Sequence, residues 1–245
     1  MTDPMVALVT GANKGIGRQI AGQLAELGHT IIIAARDAAA GEQAAAELRD
    51  VGGDAVAVVL DVTDAASIAA AASAVAERFG HLDALINNAG ISGRPGADFS
   101  GQLPASASVD DVRFIFETNV FGVIGVTTGF LPLLRKSSAP RIVNVSSSAG
   151  SLAKTSDFED PDPIALGYVP SKTALTSLTI QYARGLAPEG ILVNAVCPGF
   201  VATDLNHFRG VRSTTEGATQ AVRMATIPAD GPTGTFTDDH GPVAW

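Results

Sequence analysis

The sequence lacks features that secreted, nucleic-acid-binding and membrane-spanning proteins need. One cysteine, Cys197, excludes an internal disulfide and indicates a reducing, cytoplasmic setting. No apolar run is expected to approach the ~18 to 20 residues of a membrane helix; runs such as 31–35 have the length of a strand. The first residues carry no basic charge ahead of their apolar run, which argues against a secretion signal. The net charge of −9 opposes binding to a polyanionic nucleic acid.

The composition is that of a globular α/β protein. The 245 residues are 46% hydrophobic and 17% charged, and the 26 glycines and 13 prolines are spread along the chain. No linker-like segment divides it, and this length fits one core. We therefore expect a single domain over residues 1–245.

Short apolar runs alternate with helical patterns along most of the chain. The predicted strands are 6–10, 30–35, 55–60, 82–86, 141–146, 191–196 and a last one near 234–237. The predicted helices are 16–27, 38–51, 63–79, 109–134, 168–187 and 217–225. Continuous rather than alternating apolar strands indicate a parallel sheet covered on both faces. This predicts a doubly wound Rossmann domain of about seven strands in order 3-2-1-4-5-6-7. We expect a cofactor half over 1–145 and a catalytic and substrate half over 146–245.

A glycine-rich turn follows the first predicted strand and opens the first predicted helix. Backbone N–H groups in such a turn can bind a pyrophosphate at the helix N-terminus. The spacing is Gly-x3-Gly-x-Gly rather than the commoner Gly-x-Gly-x2-Gly, so the position of the turn carries the prediction. The candidate cofactor-binding residues here are Gly11, Asn13, Lys14, Gly15, Ile16 and Gly17.

Basic residues lie where a dinucleotide's adenosine ribose is expected. Arg36 follows the second predicted strand, and Lys14 lies within the glycine turn. Both cations suit a 2′-phosphate, which indicates NADP(H). Asp37, directly after Arg36, keeps NAD(H) as the alternative, and Arg36 could also be a surface cation paired with an acid.

Tyr168 and Lys172 are spaced to share one face of a predicted helix. A phenol is a poor proton donor at pH 7 unless a nearby cation favours its phenolate. Lys172 could be that cation, whereas the alternative is an ordinary surface pair. Pro170 lies between them, so we expect the helix to begin near Tyr168, with the proline in its first turn.

Several motifs in this order resemble those of the short-chain dehydrogenase/reductase family. They are Thr-Gly-Ala-Asn-Lys-Gly-Ile-Gly (10–17), Asn-Asn-Ala-Gly (87–90), Asn-Val-Phe-Gly (119–122), Asn-Val-Ser-Ser (144–147), Tyr-Val-Pro-Ser-Lys (168–172) and Pro-Gly (198–199). The resemblance extends over about residues 5–204. The lysine in the glycine turn and Ala-Arg-Asp (35–37) are most similar to the NADPH-dependent carbonyl reductases of that family.

The resemblance implies four catalytic residues. Tyr168 would be the general acid in reduction and the general base in oxidation, while Lys172 would favour its phenolate and hold the nicotinamide ribose. Ser147, rather than its neighbours Ser146 and Ser148, would bind the substrate carbonyl. Asn119 would distort its helix and position a water that relays protons to Lys172; as an alternative, it is a solvated surface residue.

The resemblance also implies further cofactor contacts. Asp61 and Val62 would lie beside the adenine, and Asn88, Ala89 and Gly90 would pass the ribose, although each segment could be a plain turn at a strand end. Contacts near the nicotinamide would come from Pro198, Gly199, Val201 and Thr203. Substrate contacts would come from 90–107, from 200–219 with Phe200 as a pocket wall, and from the acidic insert 157–163, which could equally be solvated surface.

The resulting prediction is hydride transfer from NADPH to a ketone or aldehyde, reversibly giving an alcohol. The alternatives are an NAD-dependent secondary-alcohol dehydrogenase and a non-catalytic protein that senses a dinucleotide. A serine hydrolase is not indicated because Gly-x-Ser-x-Gly is absent, and the scattered histidines have no metal-ligand spacing. The expected partner is a small carbonyl or alcohol substrate. A homodimer or homotetramer is possible, with a monomer left open.

Overall fold

A computed structural model describes residues 4–96, 99–159 and 164–245. It contains one eight-stranded sheet in the order β3-β2-β1-β4-β5-β6-β7-β8. The strands are β1 (Val6–Thr10), β2 (Thr30–Ala35), β3 (Asp54–Val59), β4 (Ala84–Asn87), β5 (Arg141–Val145), β6 (Leu192–Val196), β7 (Phe236–Asp238) and β8 (Gly241–Pro242). The predicted doubly wound order is confirmed over its first seven strands, which pair in parallel.

The last strand is an addition to the prediction. β8 is a two-residue strand that pairs antiparallel with β7. It contains a proline and has no apolar run of its own, so no periodic pattern predicts it. The sheet therefore ends in a short hairpin.

Helices cover both faces of the sheet. The helices are α1 (Gly15–Glu26), α2 (Ala38–Asp50), α3 (Ala65–Phe79), α4 (Val109–Phe116), α5 (Gly122–Leu134), α6 (Leu152–Thr155), α7 (Tyr168–Leu186) and α8 (Thr214–Ala225). Side chains from α1, α2 and α8 share one buried cluster, and those from α3, α5 and α7 share the other. Successive β1 residues alternate between the clusters, Ala7 in the first and Leu8 in the second, as a strand buried on both faces requires.

The predicted long helix over 109–134 is interrupted. A π-helical segment, Glu117–Phe121, joins α4 to α5. By length and hydropathy alone, Val109–Leu134 is the one described stretch that could cross a membrane. Glycines and threonines divide this stretch into short apolar runs, so the sequence did not predict a segment of this length and hydropathy. Val126, Phe130 and Leu134 are fully buried against the sheet, so α5 uses its apolar surface as a core helix.

The order of the strands brings four loops together. Strands β1 to β3 are added in one direction across the sheet, and β4 to β6 are added in the other, starting beside β1. Because these strands are parallel, the segments after β1, β4, β5 and β6 all leave at the carboxyl edge of the sheet. In open parallel sheets the crevice at this switch point is where ligands bind. Most of the predicted cofactor and catalytic residues lie on these four segments and on the α7 helix. Asn119 lies in the π-helical segment, and Arg36, Asp61 and Val62 follow β2 and β3.

Candidate active site

The glycine turn has the geometry of an anion cradle. Gly11 and Gly15 have φ values of +64° and +59°, which side chains rarely adopt. A methyl group on Gly17 would lie 2.4 Å from Asn88 Nδ2, so α1 can approach this closely only through glycine. Among the described residues, no side chain caps α1, and its first turn has no acidic residue. These features fit a pyrophosphate at the helix N-terminus, with Asn13 and Ile16 in the same turn.

Asn88 and Ala89 brace this turn from β4. Asn88 Nδ2 donates to Thr10 O at 2.8 Å. Thr10 Oγ1 accepts from the backbone N–H groups of Asn88 and Ala89, each at 3.0 Å. The segment is therefore more than a plain turn at a strand end, because its hydrogen bonds to Thr10 hold the start of the glycine turn. Thr10, which sequence reasoning treated only as part of a motif, joins the two segments.

Lys14 lies at the open side of the cleft and forms an ion pair with Asp204. Both side chains are more than half exposed. Thr203 lies on the same side, because a methyl group on Gly15 would be 3.7 Å from Thr203 Cγ2. The loop after β6 thus faces the glycine turn across the opening, and Lys14 has an acidic partner there that the sequence did not reveal.

Arg36 is exposed at the end of β2. The neighbouring Asp37 accepts from Ala40 N at 2.9 Å and caps α2. Asp61 lies close by, and Thr63, through its N–H and its hydroxyl, lowers the pKa of that carboxyl, with Arg36 contributing less. The next residue, Val62, packs against α5, since a methyl group on Gly122 would lie 2.9 Å from Val62 Cγ2.

Lys172 is buried at the centre of the site. Its Nζ donates to Val145 O at 2.9 Å and lies 5.8 Å from the centroid of the Tyr168 ring. Burial lowers its pKa from 10.5 to about 8. A methyl group on Gly90 would lie 3.5 Å from Lys172 Nζ, so the turn after β4 passes directly beside the ammonium group. An ordinary surface pair of Tyr168 and Lys172 is excluded.

Tyr168 is the first residue of α7, and Pro170 lies in the first turn, as predicted. The Tyr168 side chain is half-buried. Its backbone N–H donates to Gln102 Oε1 at 2.9 Å, and its carbonyl accepts from Ser171 Oγ at 2.6 Å. Both ends of the Tyr168 backbone are therefore held by side chains.

The serine turn after β5 packs directly on α7. A methyl group on Gly150 would lie 2.7 Å from the Lys172 carbonyl carbon. Ser146 is buried and donates to Lys172 O at 3.2 Å, which gives it a packing role. Ser147 is only partly buried and accepts from Ala149 N at 3.2 Å. The hydroxyl of Ser147 is thus the one of the two that remains near the solvent side of the turn.

Asn119 lies within the π-helical segment and is 1% exposed, so a solvated surface position is wrong. Its Oδ1 accepts from Ile91 N at 2.8 Å. Its Nδ2 donates to Ile91 O at 2.9 Å and to Ser171 Oγ at 3.0 Å. The expected helix distortion is confirmed, and the side chain links the segment after β4 to the start of α7.

The loop after β6 closes the other side of the site. Gly199 has φ +76°, and a methyl group there would lie 2.8 Å from Arg212 Cδ, so Pro198-Gly199 passes against Arg212. Val201 pairs with Arg212 as an isolated β-bridge. Arg212 Nη1 donates to Asp239 Oδ1 at 2.8 Å and ties the loop to the final hairpin. Sequence reasoning missed Arg212 because it and its partner Asp239 lie beyond residue 204, where the sequence has no recognised motif.

Two further predictions concern the acidic insert and metal binding. Residues 160–163 of the insert lie outside the described residues, and Phe158 is fully exposed. Within the part of the chain that the structure describes, no group of three or more His, Cys, Asp or Glu side chains is arranged to hold a metal ion.

Comparison with known proteins agrees with this arrangement. Residues 5–212 match the family model described as short chain dehydrogenase. The chain is 40% identical to short-chain dehydrogenase anuI of Penicillium roqueforti, covering 92% of this chain and 90% of the relative. It is 35% identical to short-chain dehydrogenase/reductase 1 of Saponaria officinalis, covering 94% and 92%.

A solved structure is similar over its full length. The NADPH-bound carbonyl reductase from chicken fatty liver superposes with a TM-score of 0.85 at 31% sequence identity, and all of both chains is covered. The family match, the relatives and the shared fold agree with the motifs. The chain belongs to the short-chain dehydrogenase/reductase family of oxidoreductases.

Proposed function

We propose that the protein reduces a ketone or aldehyde to an alcohol with NADPH, reversibly. The observation that carries this proposal is the placement of the buried Lys172 ammonium beneath the Tyr168 ring, next to the serine turn. A sensor of dinucleotides needs the glycine turn but has no use for a buried cation beside a phenol. The similarity to an NADPH-bound carbonyl reductase supports the same reading.

The chain's own residues would handle the proton and the substrate oxygen. Tyr168 donates a proton to the oxygen of the carbonyl as it becomes an alkoxide, and Ser147 donates a hydrogen bond to the same oxygen. Lys172, whose pKa is about 8, is still charged at pH 7 and stabilises the phenolate that Tyr168 leaves behind. Bound NADPH supplies the hydride. Asn119, through Ser171, keeps the first turn of α7 in place.

The preference for NADP(H) over NAD(H) rests on two cations. Lys14 in the glycine turn and Arg36 at the end of β2 are both exposed, and we propose that both contact the 2′-phosphate. Asp37, which kept NAD(H) as the alternative, has its carboxylate engaged with the Ala40 N–H at the start of α2. An NAD-dependent alcohol dehydrogenase is the second candidate, favoured by the carboxylate of Asp204 beside Lys14.

The surroundings of the enzyme also belong to this proposal. We propose a cytoplasmic protein, because its single cysteine, Cys197, is a buried free thiol. A homodimer or homotetramer is the family expectation, with a monomer as the alternative. The substrate would be held by the loop after β6, where Phe200 is 54% exposed, together with the segment after β4.

The experiment is a measurement of initial rates of NADPH and of NADH oxidation against a panel of ketones and aldehydes. Wild type and Tyr168→Phe are compared, and dissociation constants for NADPH are measured for both by fluorescence. The proposal predicts turnover that prefers NADPH and falls about 10³-fold in Tyr168→Phe. NADPH affinity should be retained, since the phenol ring remains.

Each part of the proposal has its own contrary result. Preference for NADH would overturn the assignment of Lys14 and Arg36 while sparing Tyr168. Equal rates for wild type and Tyr168→Phe would overturn the proton-transfer role. Binding of NADPH without turnover of any carbonyl or, in reverse, any alcohol would favour the sensor.

A further inference from the structure

Gln102 is a buried polar residue that neither the motifs nor the proposed chemistry explains. It ends the 3₁₀ helix Phe99–Gln102 and is 3% exposed. Its two side-chain polar atoms contact different segments of the site: Oε1 accepts from Tyr168 N at 2.9 Å, and Nε2 donates to Ser92 O at 2.6 Å. Its backbone carbonyl also accepts from Leu166 N at 2.9 Å.

The start of α7 depends on this contact. A helix begins with N–H groups that have no partner within the helix, and a side chain at the N-cap usually accepts one. Here the N-cap is Gly167, which has no side chain to offer. Val169 N donates to Ala165 O, Pro170 has no N–H, and Ser171 N donates to Gly167 O. The N–H of Tyr168 completes the turn by donating to Gln102.

Packing leaves this arrangement little freedom. A methyl group on Gly167 would lie 2.9 Å from Gln102 Oε1 and 2.5 Å from Ile115 Cδ1. The Gln102 amide is therefore pressed against the helix start rather than reaching it loosely. Hydrogen bonds of a buried amide are stronger than the same hydrogen bonds exposed to water, so the two backbone groups that Gln102 contacts are held rigidly.

The contacts of Gln102 close a ring of hydrogen bonds around Tyr168. From the Tyr168 carbonyl the ring passes through Ser171 and Asn119 to the backbone of Ile91. Ser92 follows Ile91 in the chain and returns through Gln102 to the Tyr168 N–H. Ser92 Oγ also donates to Leu205 O at 2.8 Å, so the loop after β6 is attached to the same ring.

We propose that Gln102 is a positioning residue for Tyr168. It supplies, from a distant segment, the side-chain acceptor that the N-cap Gly167 lacks. It thereby fixes the position of the phenol relative to Lys172 and the serine turn. Proton donation from a positioned group is sensitive to displacements of about 1 Å, which can cost about 100-fold in rate. This role rests on the proposed function, because it acts through Tyr168.

The test compares Gln102→Met with wild type. Methionine is similar in size but cannot accept from Tyr168 N–H or donate to Ser92 O. We expect kcat for carbonyl reduction to fall by about 10- to 100-fold. The dissociation constant for NADPH should stay within about twofold of wild type, since Gln102 makes no contact with the glycine turn. The pH at which kcat is half maximal should shift, because the phenol moves relative to Lys172.

Gln220→Met is the matched control. Gln220 is likewise 3% exposed and donates to Thr237 Oγ1 at 2.7 Å, but it lies on α8, away from Tyr168. Gln220→Met also removes a buried amide hydrogen bond and should lower thermal stability, while keeping the wild-type kcat and pH profile. If Gln102→Met keeps them too, Gln102 is merely structural and the inference is overturned.

Gln102→Glu keeps the test decisive if methionine prevents folding. Burial against the Ser92 carbonyl favours the protonated form of the glutamic acid, in which one oxygen accepts from the Tyr168 N–H and the other donates to Ser92 O. It should therefore restore most of the kcat that methionine loses, or keep most of the wild-type kcat if methionine does not fold. A hundredfold loss in Gln102→Glu would overturn the assignment as a cap. Tyr168→Phe, measured beside these variants, separates the two proposals: if it turns over like wild type, the proposed function fails first.

Discussion

The centre of the site and the loop after β6 are held in opposite ways. Around the centre, Lys172 is 5% exposed and Asn119 is 1% exposed, and each bonds to backbone carbonyls or amides. In the rim loop, residues 200–212, Phe208 and Val211 are 66% and 87% exposed. His207 has φ +54°, a conformation that only a few per cent of residues with side chains adopt.

This difference indicates that the buried centre carries out proton transfer and that the rim loop selects the substrate. Hydrogen bonds to the backbone fix the buried groups, so we expect their positions to be the same for different substrates. Apolar side chains of the rim loop are exposed to water. An apolar substrate that covers them would bind more tightly, because burying apolar surface is favourable. Variants of the centre should therefore change kcat, and variants of the rim loop should change KM.

The largest effect on activity is expected for Lys172→Met, which removes the buried charge. We expect kcat to fall about 10³-fold, because the phenolate loses its cation. Burial lowers the pKa of Lys172 from 10.5 to about 8 in the folded protein, so the unfolded chain binds more protons between these values. The stability of wild type should consequently rise with pH across this window.

The same variant should be more stable than wild type at pH 7. The pKa difference corresponds to a free energy of unfolding that is lower by about 3 kcal/mol at pH 7, because folding buries the charged ammonium group. Thermal unfolding followed by circular dichroism checks this: the midpoint of Lys172→Met should lie several degrees higher at pH 7 and should lack the rise that wild type shows above pH 8. A lower midpoint would mean that the bond to Val145 outweighs the cost of burial.

Gly150→Ala should have the next largest effect. The added methyl group would lie 2.7 Å from the backbone of α7, so the serine turn must move away from Lys172. A shift of about 1 Å predicts a kcat loss of about 100-fold, with NADPH affinity unchanged. Gly185→Ala is the control: it lies on α7, the helix that the Gly150 methyl group would meet, and its own added methyl group meets nothing within 4 Å. Equal kcat for both variants would contradict a fixed centre.

Much of this arrangement could be predicted from the sequence, and the remainder depends on contacts between distant segments. The glycine turn, Tyr168 and Lys172 are local patterns, and each is where the sequence placed it. Gln102 is 66 positions from Tyr168, and Lys14 is 190 positions from Asp204. Neither pair has a spacing that a local pattern can show. A glutamine in a loop is ordinarily solvated, so only the folded chain reveals that it caps a helix.

Phe208→Ser sharpens the comparison on the side of the rim loop. Loss of one apolar side chain that a substrate would cover should raise KM for an apolar ketone about tenfold. The kcat at saturating ketone should remain within about twofold, because Phe208 is 66% exposed in the rim loop and has no part in the proposed proton transfer. Steady-state kinetics with a large and a small ketone checks this. A fall in kcat with unchanged KM would place the rim loop within the fixed centre.

The smallest effect is expected for Asp204→Asn. Asp204 holds Lys14, and removing its charge frees that cation for the 2′-phosphate of NADPH. Because both side chains are exposed, we expect NADPH affinity to rise by only about two- to fivefold at low salt. Lys14→Ala should weaken NADPH binding without affecting NADH. Fluorescence titration with both cofactors measures this, and equal changes for NADH and NADPH would contradict the phosphate assignment.

The central claim, that the charge of buried Lys172 governs proton transfer, is tested most directly by the pH dependence of kcat/KM for NADPH-dependent carbonyl reduction. Wild type and Lys172→Met are compared from about pH 6 to 10, the range that brackets the titration of the lysine. In wild type, kcat/KM should decline as the pH rises through about 8, where Lys172 loses its proton. In Lys172→Met that inflection should be absent and the remaining activity low throughout. The same inflection near pH 8 in both proteins would contradict the account.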